Sequence, residues 1–466
     1  MIYLDCSYIF RDPAARAGLQ RVTRCIAQEA AKLRGDVRWA ALTESGAFVT
    51  LSAIPQPTDQ PWAHQEKIIA FEPGDVYFVL DSLWDRKVLE RLSPFVPFGL
   101  ICGVMYHDLI PITHERLSGI SRNVFTDWVE ETLRYADFFA CNSQETARSL
   151  KAEALRLHPS RALDDATVFS FPLGADLPTT DPTHRPSDKE LLYAFEGGNT
   201  WLIVSTLEPR KNHACLLDAF DRLWTRYPHL KLCFIGRKGW MIDDLIERVE
   251  NHPLGGKSLF WFRNVPDRDL QWAYQHAKGF LFPSWEEGFG LPILESLHYG
   301  TPVLASDIPV FHEIAGDRIG YFDPARPDSL AEWILRIEVE GLPERLRPDG
   351  SFRWPTWKES AQELLLKIDA AVQIARQTRA VQLKHWRFER RVALELEREL
   401  DAARPAAAVV TPAPLHEECP AAEPSLPPAP AALPAPLPIR RLLQMNGHEL
   451  IRHAYVRLLH RLPDPD

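Results

Sequence analysis

Two glutamates, Glu287 and Glu295, stand eight positions apart in Pro283-Ser284-Trp285-Glu286-Glu287-Gly288-Phe289-Gly290-Leu291-Pro292-Ile293-Leu294-Glu295. Carboxylates accept paired hydrogen bonds from vicinal hydroxyls, so they suit a sugar ring or a ribose. The backbone amides of Gly288, Phe289, Gly290 and Leu291 can reach a phosphate, because glycine permits close approach and a helix start favours anions. An apolar run, residues 279–283, precedes this turn and reads as a buried strand. After Glu295 come an apolar helix face, the sharp stop Gly300-Thr301-Pro302 and a second apolar run, Val303-Leu304-Ala305. Strand, acidic glycine-rich turn, helix and strand make a βαβ unit, with its crevice at the C-terminal end of the first strand.

A second constellation is Ser205-Thr206-Leu207-Glu208-Pro209-Arg210-Lys211-Asn212, between an expected strand and an expected helix. Its cation pair, Arg210 and Lys211, would face the same crevice. A diphosphate can be held by a metal on an Asp-x-Asp loop, but Asp243-Asp244 and Asp164-Asp165 are adjacent pairs that read as solvated surface. No metal site is expected, and cationic side chains must then offset the charge of a leaving diphosphate. Tyr106-His107-Asp108 ends a strong apolar strand, so His107 would enter the cleft from the opposite side, with Asp108 orienting it or capping the next segment. Gly18-Leu19-Gln20-Arg21-Val22 begins the first helix, and Arg21 reads either as a phosphate contact or as a helix-surface charge.

These residues carry a resemblance. Phe282-Pro283-Ser284, Glu287-Gly288-Phe289-Gly290-Leu291-Pro292, Glu295 and Gly300-Thr301-Pro302-Val303 together resemble the E-x7-E element of the retaining glycosyltransferases of family 4, the glycosyl transferases group 1. The segment Glu208-Pro209-Arg210-Lys211-Asn212 resembles that family's donor phosphate element. The resemblance implies a GT-B fold and a nucleotide-diphosphate sugar as donor substrate, with no separate cofactor. It implies Arg210 and Lys211 on the diphosphate, Glu287 on the donor sugar, and Glu295 on the ribose. His107 would lie near the donor sugar and acceptor, and Gly18 in a glycine loop that touches diphosphate and acceptor. Many relatives carry a further Arg about five residues earlier, where this chain has Ser205-Thr206; Arg210 is the expected substitute. Base contacts are expected near residues 263–266.

The elements that must position these side chains follow an α/β alternation. Short apolar runs over residues 2–5, 37–42, 76–80, 98–106, 138–141 and 167–171 alternate with helical patterns such as 19–33, 124–135 and 144–157. Such alternation indicates a parallel sheet covered on both faces. Residues 1–173 are therefore expected to form one Rossmann-like, acceptor-side domain. Residues 174–199 read as a linker and 200–345 as a second Rossmann-like, donor-side domain. Residues 346–403 read as helices whose first part packs back on the first domain. Residues 404–439, with 11 prolines between Pro405 and Pro438, cannot bury a core and read as a disordered spacer. Residues 440–466 resemble the opening of a small helical domain found in bacterial surface and polysaccharide proteins, of which they span only the start.

Composition narrows the function classes. With 466 residues, 45% hydrophobic and 25% charged, the chain has the make-up of a globular enzyme of two or three domains. A net charge of -10 argues against nucleic acid as a partner. Seven cysteines without a C-x-x-C, most of them in apolar surroundings, read as small core residues in a reducing cytoplasm. Neither a signal peptide nor an 18-residue apolar run is visible, which leaves contact with the inner membrane face as the expected membrane relationship. The expected function is a retaining hexosyltransferase acting on a glycan or lipid-linked acceptor in bacterial polysaccharide synthesis. The alternative is a non-catalytic glycan-binding or scaffold protein on the same fold. A dinucleotide oxidoreductase would need a G-x-G-x-x-G after the first strand, and none is there.

Overall fold

The computed structural model describes residues 1–378 except 16–17, 82–85, 160–162, 176–182 and 349. The Pro/Ala-rich segment, the charged stretch from Lys384 to Glu399 and the terminal helical motif lie outside the described residues.

The first sheet has eight strands in the spatial order Gln65–Ile68, Phe48–Leu51, Val37–Leu42, Ile2–Asp5, Val76–Val79, Ile101–Tyr106, Phe138–Cys141 and Val168–Ser170. Six of them run parallel, and their cores are near-continuous apolar runs; Ile101–Tyr106 is buried along its whole length. That is the signature of a sheet covered on both faces. The helix Gly18–Leu33 covers it with Val22, Ile26, Ala27 and Ala30, spaced at three- and four-residue steps. The other two strands were not legible beforehand. Phe48–Leu51 and Gln65–Ile68 pair antiparallel and extend the edge; Gln65–Ile68 is exposed throughout, so it carries no apolar signal.

The second sheet has six parallel strands in the order Leu259–Phe262, Lys231–Ile235, Thr200–Val204, Gly279–Phe282, Val303–Ser306 and Gly320–Phe322. Strand order reverses between Thr200–Val204 and Gly279–Phe282, which pair in parallel. At such a switch point the two following loops diverge to opposite faces and leave a crevice between them. The loops are 205–212 and 283–290, the two that bear the chemistry-capable residues.

Residues 174–199 are more than a linker. The helix Lys189–Phe195 lies within them, capped by Asp188, and buries Leu191, Ala194 and Phe195 in the core. Its short amphipathic pattern was masked by the surrounding Pro, Thr and Gly. Residues 357–378 are helical and return to the first domain. There Trp354 donates to the Leu173 carbonyl (2.7 Å), Ser360 to the Pro172 carbonyl (2.6 Å), and Arg34 pairs with Asp369 (2.7 Å). A methyl on Gly174 would sit 2.4 Å from the Trp357 amide, so the chain can pass there only as glycine. The six described cysteines form no disulfide, and all but Cys25 are buried. Among the described residues no helix is long and apolar enough to cross a membrane.

Candidate active site

At the switch point the two loops are tied by charge. The Glu287 carboxylate receives the Lys211 ammonium on one oxygen and the Arg210 guanidinium on the other, the latter at 2.7 Å. Ser284 donates a third bond at 2.7 Å. Burial alone would raise the Glu287 carboxyl, but Arg210 and Lys211 outweigh it and hold it down at about 2. Glu208 takes the Arg210 Nε at 2.5 Å, so Arg210 lies between two carboxylates. Burial, then the neighbouring Arg210, lower the Lys211 pKa. The ammonium also sits 4.9 Å from the centre of the Phe282 ring.

Lys211 corrects an expectation. A side chain open to the cleft was anticipated, and it is only 8% exposed. Asn212 accounts for this: its left-handed backbone (φ 53°) turns the chain sharply before the helix His213–Trp224 and folds Lys211 inward. Its amide side chain holds the Pro324 carbonyl at 2.9 Å.

Glu295 lies on the helix Leu291–His298 and is buried. One oxygen pairs with Arg21 of the first domain and the other accepts from the Tyr274 hydroxyl at 3.0 Å. Arg21 is thus not a simple surface charge; it bridges the cleft to Glu295. Burial opposes its charge, yet Glu295 more than compensates and raises its pKa. Gly18 opens the same helix, and a methyl there would meet nothing within 4 Å, so space remains above it.

His107 leaves the C-terminal end of strand Ile101–Tyr106 and is 6% exposed. Neither ring nitrogen has a hydrogen-bond partner of good geometry. Burial lowers the ring to about 4, with a small opposing effect of the Leu80 backbone, so the imidazole is neutral at physiological pH. Asp108 does not orient it; one carboxylate oxygen caps the amide of Ile110 at 3.0 Å. Gly288 meets His107 from the other domain, and a methyl on it would lie 1.7 Å from the His107 carbonyl oxygen. Gly290 has φ 125°, a value that favours glycine, and packs under Phe311 and Ile314. Phe289 is buried against Trp354, and Leu291 is the first residue of the helix that carries Glu295.

The two domains meet through these same turns. Ser143 donates to the Gly288 carbonyl at 2.8 Å. The Glu313 carboxylate accepts the amides of Gln144 (2.7 Å) and Glu145 (3.1 Å), at the positive end of the helix Gln144–Leu157. His114 stands 3.6 Å from Glu286. Residues 263–266 line a groove of about 750 Å³ beside the edge strand Leu259–Phe262. Among the described residues no group of three or more His, Cys, Asp or Glu is arranged to hold a metal.

Several of these partners were not anticipated. Glu208 was visible beside the cation pair but carried no role until its contact with Arg210 was seen. Tyr274 and Glu313 lie in ordinary helical patterns, and no local signal distinguishes them.

The arrangement can neutralise an anion beside a hydroxyl-binding carboxylate, within a crevice shut by a second domain. Comparison with known proteins gives the same direction. Residues 185–349 match the family of glycosyl transferases group 1. The chain is 35% identical over 382 residues to the serotype-specific mannosyltransferase WbdA of Escherichia coli, covering 78% of this chain and 44% of that protein. It is 39% identical over 142 residues to O-antigen chain mannosyltransferase B of Escherichia coli, covering 29% of this chain and 35% of the relative. The chain therefore spans less than half the length of these relatives. Among solved structures, Anabaena Alr3699/HepE in complex with UDP and glucose superposes with a TM-score of 0.51 at 16% identity, over 81% of this chain and 99% of that one. Sucrose-phosphate synthase of Thermosynechococcus elongatus gives 0.51 at 18% identity, over 82% and 98%. At such identities the likeness is one of fold.

Proposed function

We propose that this chain, which belongs to the glycosyl transferases group 1 and has their GT-B fold, transfers a hexose, most simply mannose, from a nucleoside-diphosphate sugar to a growing bacterial glycan. The observation that carries the reading is the convergence of Arg210 and Lys211 on Glu287, from the two loops that flank the switch point. Two cations beside one hydroxyl-binding carboxylate match a donor whose diphosphate is attached directly to its sugar. The choice of mannose rests on what the named relatives transfer.

In the reaction the anomeric C–O bond to the diphosphate breaks as the acceptor oxygen bonds to the anomeric carbon. Arg210 and Lys211 would shift from Glu287 towards the departing diphosphate and offset its new charge, an electrostatic contribution of the kind that dominates many such sites. Glu287, relieved of part of that pairing, would accept from the sugar hydroxyls. Glu295 would take the ribose hydroxyls in place of Arg21, which then lies beside the nucleotide. His107, buried at the strand end with neither ring nitrogen in a hydrogen bond of good geometry, would meet the sugar or the acceptor hydroxyl. Attack on the face that the diphosphate leaves, with a diphosphate oxygen taking the acceptor proton, needs no carboxylate nucleophile. That route retains the anomeric configuration and needs no metal. A cytoplasmic protein working at the inner membrane face would suit a lipid-linked acceptor.

The test is incubation of the full chain with GDP-, UDP- and ADP-sugars and a soluble mannoside, followed by mass spectrometry and by NMR of the new anomeric proton. An axial bond to an added hexose with release of nucleoside diphosphate is expected. Absence of both transfer and donor hydrolysis with every donor would favour a binding or scaffold role.

A further inference from the structure

Beside the donor site stands a second set of side chains for which the donor reading has no use. The loop after strand Lys231–Ile235 is tied to the loop that bears the cation pair: Leu207 donates to the Arg237 carbonyl (2.9 Å) and Gly239 to the Leu207 carbonyl (2.8 Å). Gly239 packs so closely that a methyl would lie 2.4 Å from that carbonyl, which fixes where the next residues go. Those residues are Trp240, 38% exposed, and Met241, 72% exposed. Met241 also has a left-handed backbone (φ 50°), an unusual conformation for a side chain of its size. A partly exposed aromatic and a strained, exposed apolar residue thus stand one and two positions beyond a rigid tie to the loop that bears the cation pair.

The indole reaches the first domain. It lies 3.2 Å from where a methyl on Gly119 would be. Five residues before Gly119 is His114, whose ring nitrogen stands 3.6 Å from the Glu286 carboxylate. Glu286 adjoins Glu287, and its carbonyl accepts weakly from Arg210 at 3.5 Å. Both His114 and Glu286 remain partly open to solvent. The domains are therefore in contact at two points on segments that adjoin the Arg210–Glu287 cluster in the chain: one is apolar and flat, the other is polar.

We propose that Trp240, His114 and Glu286 form the subsite for the terminal sugar of the acceptor glycan. The proposal rests on the glycosyl-transfer reading above. A pyranose has an apolar C–H face and a rim of hydroxyls. The indole suits the face, and the imidazole and carboxyl suit the rim. Burial raises the Glu286 carboxyl to about 7, with Glu145, Asp108 and Glu287 adding to the effect. Near neutral pH it can therefore donate as well as accept, which a hydroxyl pair requires. The three act as positioning residues, holding the acceptor hydroxyl towards Glu287 and the donor.

The experiment is saturation-transfer NMR of a soluble α-mannotriose with the full chain, in parallel with calorimetry of nucleoside diphosphate. Thermal unfolding serves as the check that each variant is folded. Trp240→Ala should weaken trisaccharide binding by about tenfold or more, and Trp240→Phe should restore most of it. Glu286→Gln should weaken it also, and none of the three should alter nucleotide affinity. In turnover the same variants should raise the acceptor KM far more than they lower kcat. Unchanged trisaccharide binding in Trp240→Ala and Glu286→Gln would overturn the subsite. So would a parallel loss of nucleotide binding, or a wild-type protein that binds the nucleotide but no trisaccharide. Trisaccharide held through Trp240 by a chain that binds no nucleotide would instead leave the subsite standing and remove the donor reading.

Discussion

Lys211 and Glu287 hold one another's charge across the two loops of the switch point. Each is buried, and each would be costly there alone. The pair therefore places a cation beside a carboxylate in the crevice, each offsetting the other's burial. Lys211→Ala should reduce turnover by about a hundredfold or more, the scale of losing one preorganised charge stabiliser. It should also lower stability by about 1–3 kcal/mol, because Glu287 keeps Arg210 but loses one buried partner. Steady-state kinetics and urea unfolding check both; a wild-type rate in this variant would remove Lys211 from the reaction.

Glu287 and Glu295 should separate by ligand. Glu287→Gln keeps size and removes charge, so turnover should drop while free nucleoside diphosphate still binds. Glu295→Ala should weaken the diphosphate itself by about 1–3 kcal/mol, for lost charged hydrogen bonds. Its loss also strands Arg21, whose contact with Glu295 crosses the cleft. Equal losses in calorimetry for both variants would show that the roles are wrongly divided.

Gly288→Ala tests whether the domains must meet at this turn. A methyl would lie 1.7 Å from the His107 carbonyl oxygen and so has to push the domains apart. Both sheets should fold, yet transfer should fall by about tenfold or more, because a misplacement of an ångström at a reacting centre is costly. Small-angle scattering should show a more open molecule. Full activity with unchanged scattering would mean that closure at Gly288 is dispensable.

A pH effect on stability should come from the first domain. Burial, then the nearby Asp5, raise the Asp81 carboxyl to about 7, although the amides of Ile9 and Tyr8 and the Thr23 hydroxyl oppose the shift. The folded state thus holds a proton that the unfolded chain releases near pH 4. This contribution to stability is complete below about pH 4 and is lost as pH rises to about 7. Asp81→Asn stays neutral and keeps an oxygen for the Ile9 amide, now 2.9 Å away. Its stability relative to wild type should increase from pH 4 to pH 7.5 in urea titrations. A constant difference, or one of opposite sign, would refute the assignment.

Metal independence should hold if, as proposed, Arg210 and Lys211 offset the charge of the leaving diphosphate. Transfer should persist in excess EDTA. Activity that disappears in chelator and returns only with Mn²⁺ or Mg²⁺ would show that Arg210 and Lys211 do not suffice.

Much of the scaffold could be read from sequence because parallel strands buried on both faces must be apolar throughout, as Ile101–Tyr106 and Gly279–Phe282 are. The helix Gln144–Leu157 was legible from its periodic pattern, and Ser143 caps its start with its own side chain. Gln65–Ile68 and Lys189–Phe195 were not: the first is wholly exposed and the second is a single short amphipathic segment among turn formers. At the candidate site, residue types singled out Glu287, Glu295 and the Arg210-Lys211 pair as candidates, since charge in a glycine-rich turn after an apolar strand has few structural uses. Their pairing was hidden. Burial of Lys211 depends on one left-handed residue, Asn212, and the link from Arg21 to Glu295 joins residues 274 positions apart.

The most direct measurement is calorimetric titration of nucleoside diphosphates into wild-type protein and Lys211→Ala. One of UDP, GDP or ADP should bind the wild type, and the same diphosphate should bind Lys211→Ala at least about tenfold more weakly. Equal affinity in the two proteins, or no binding of any of the three to the wild type, would contradict a donor site at Arg210, Lys211 and Glu287.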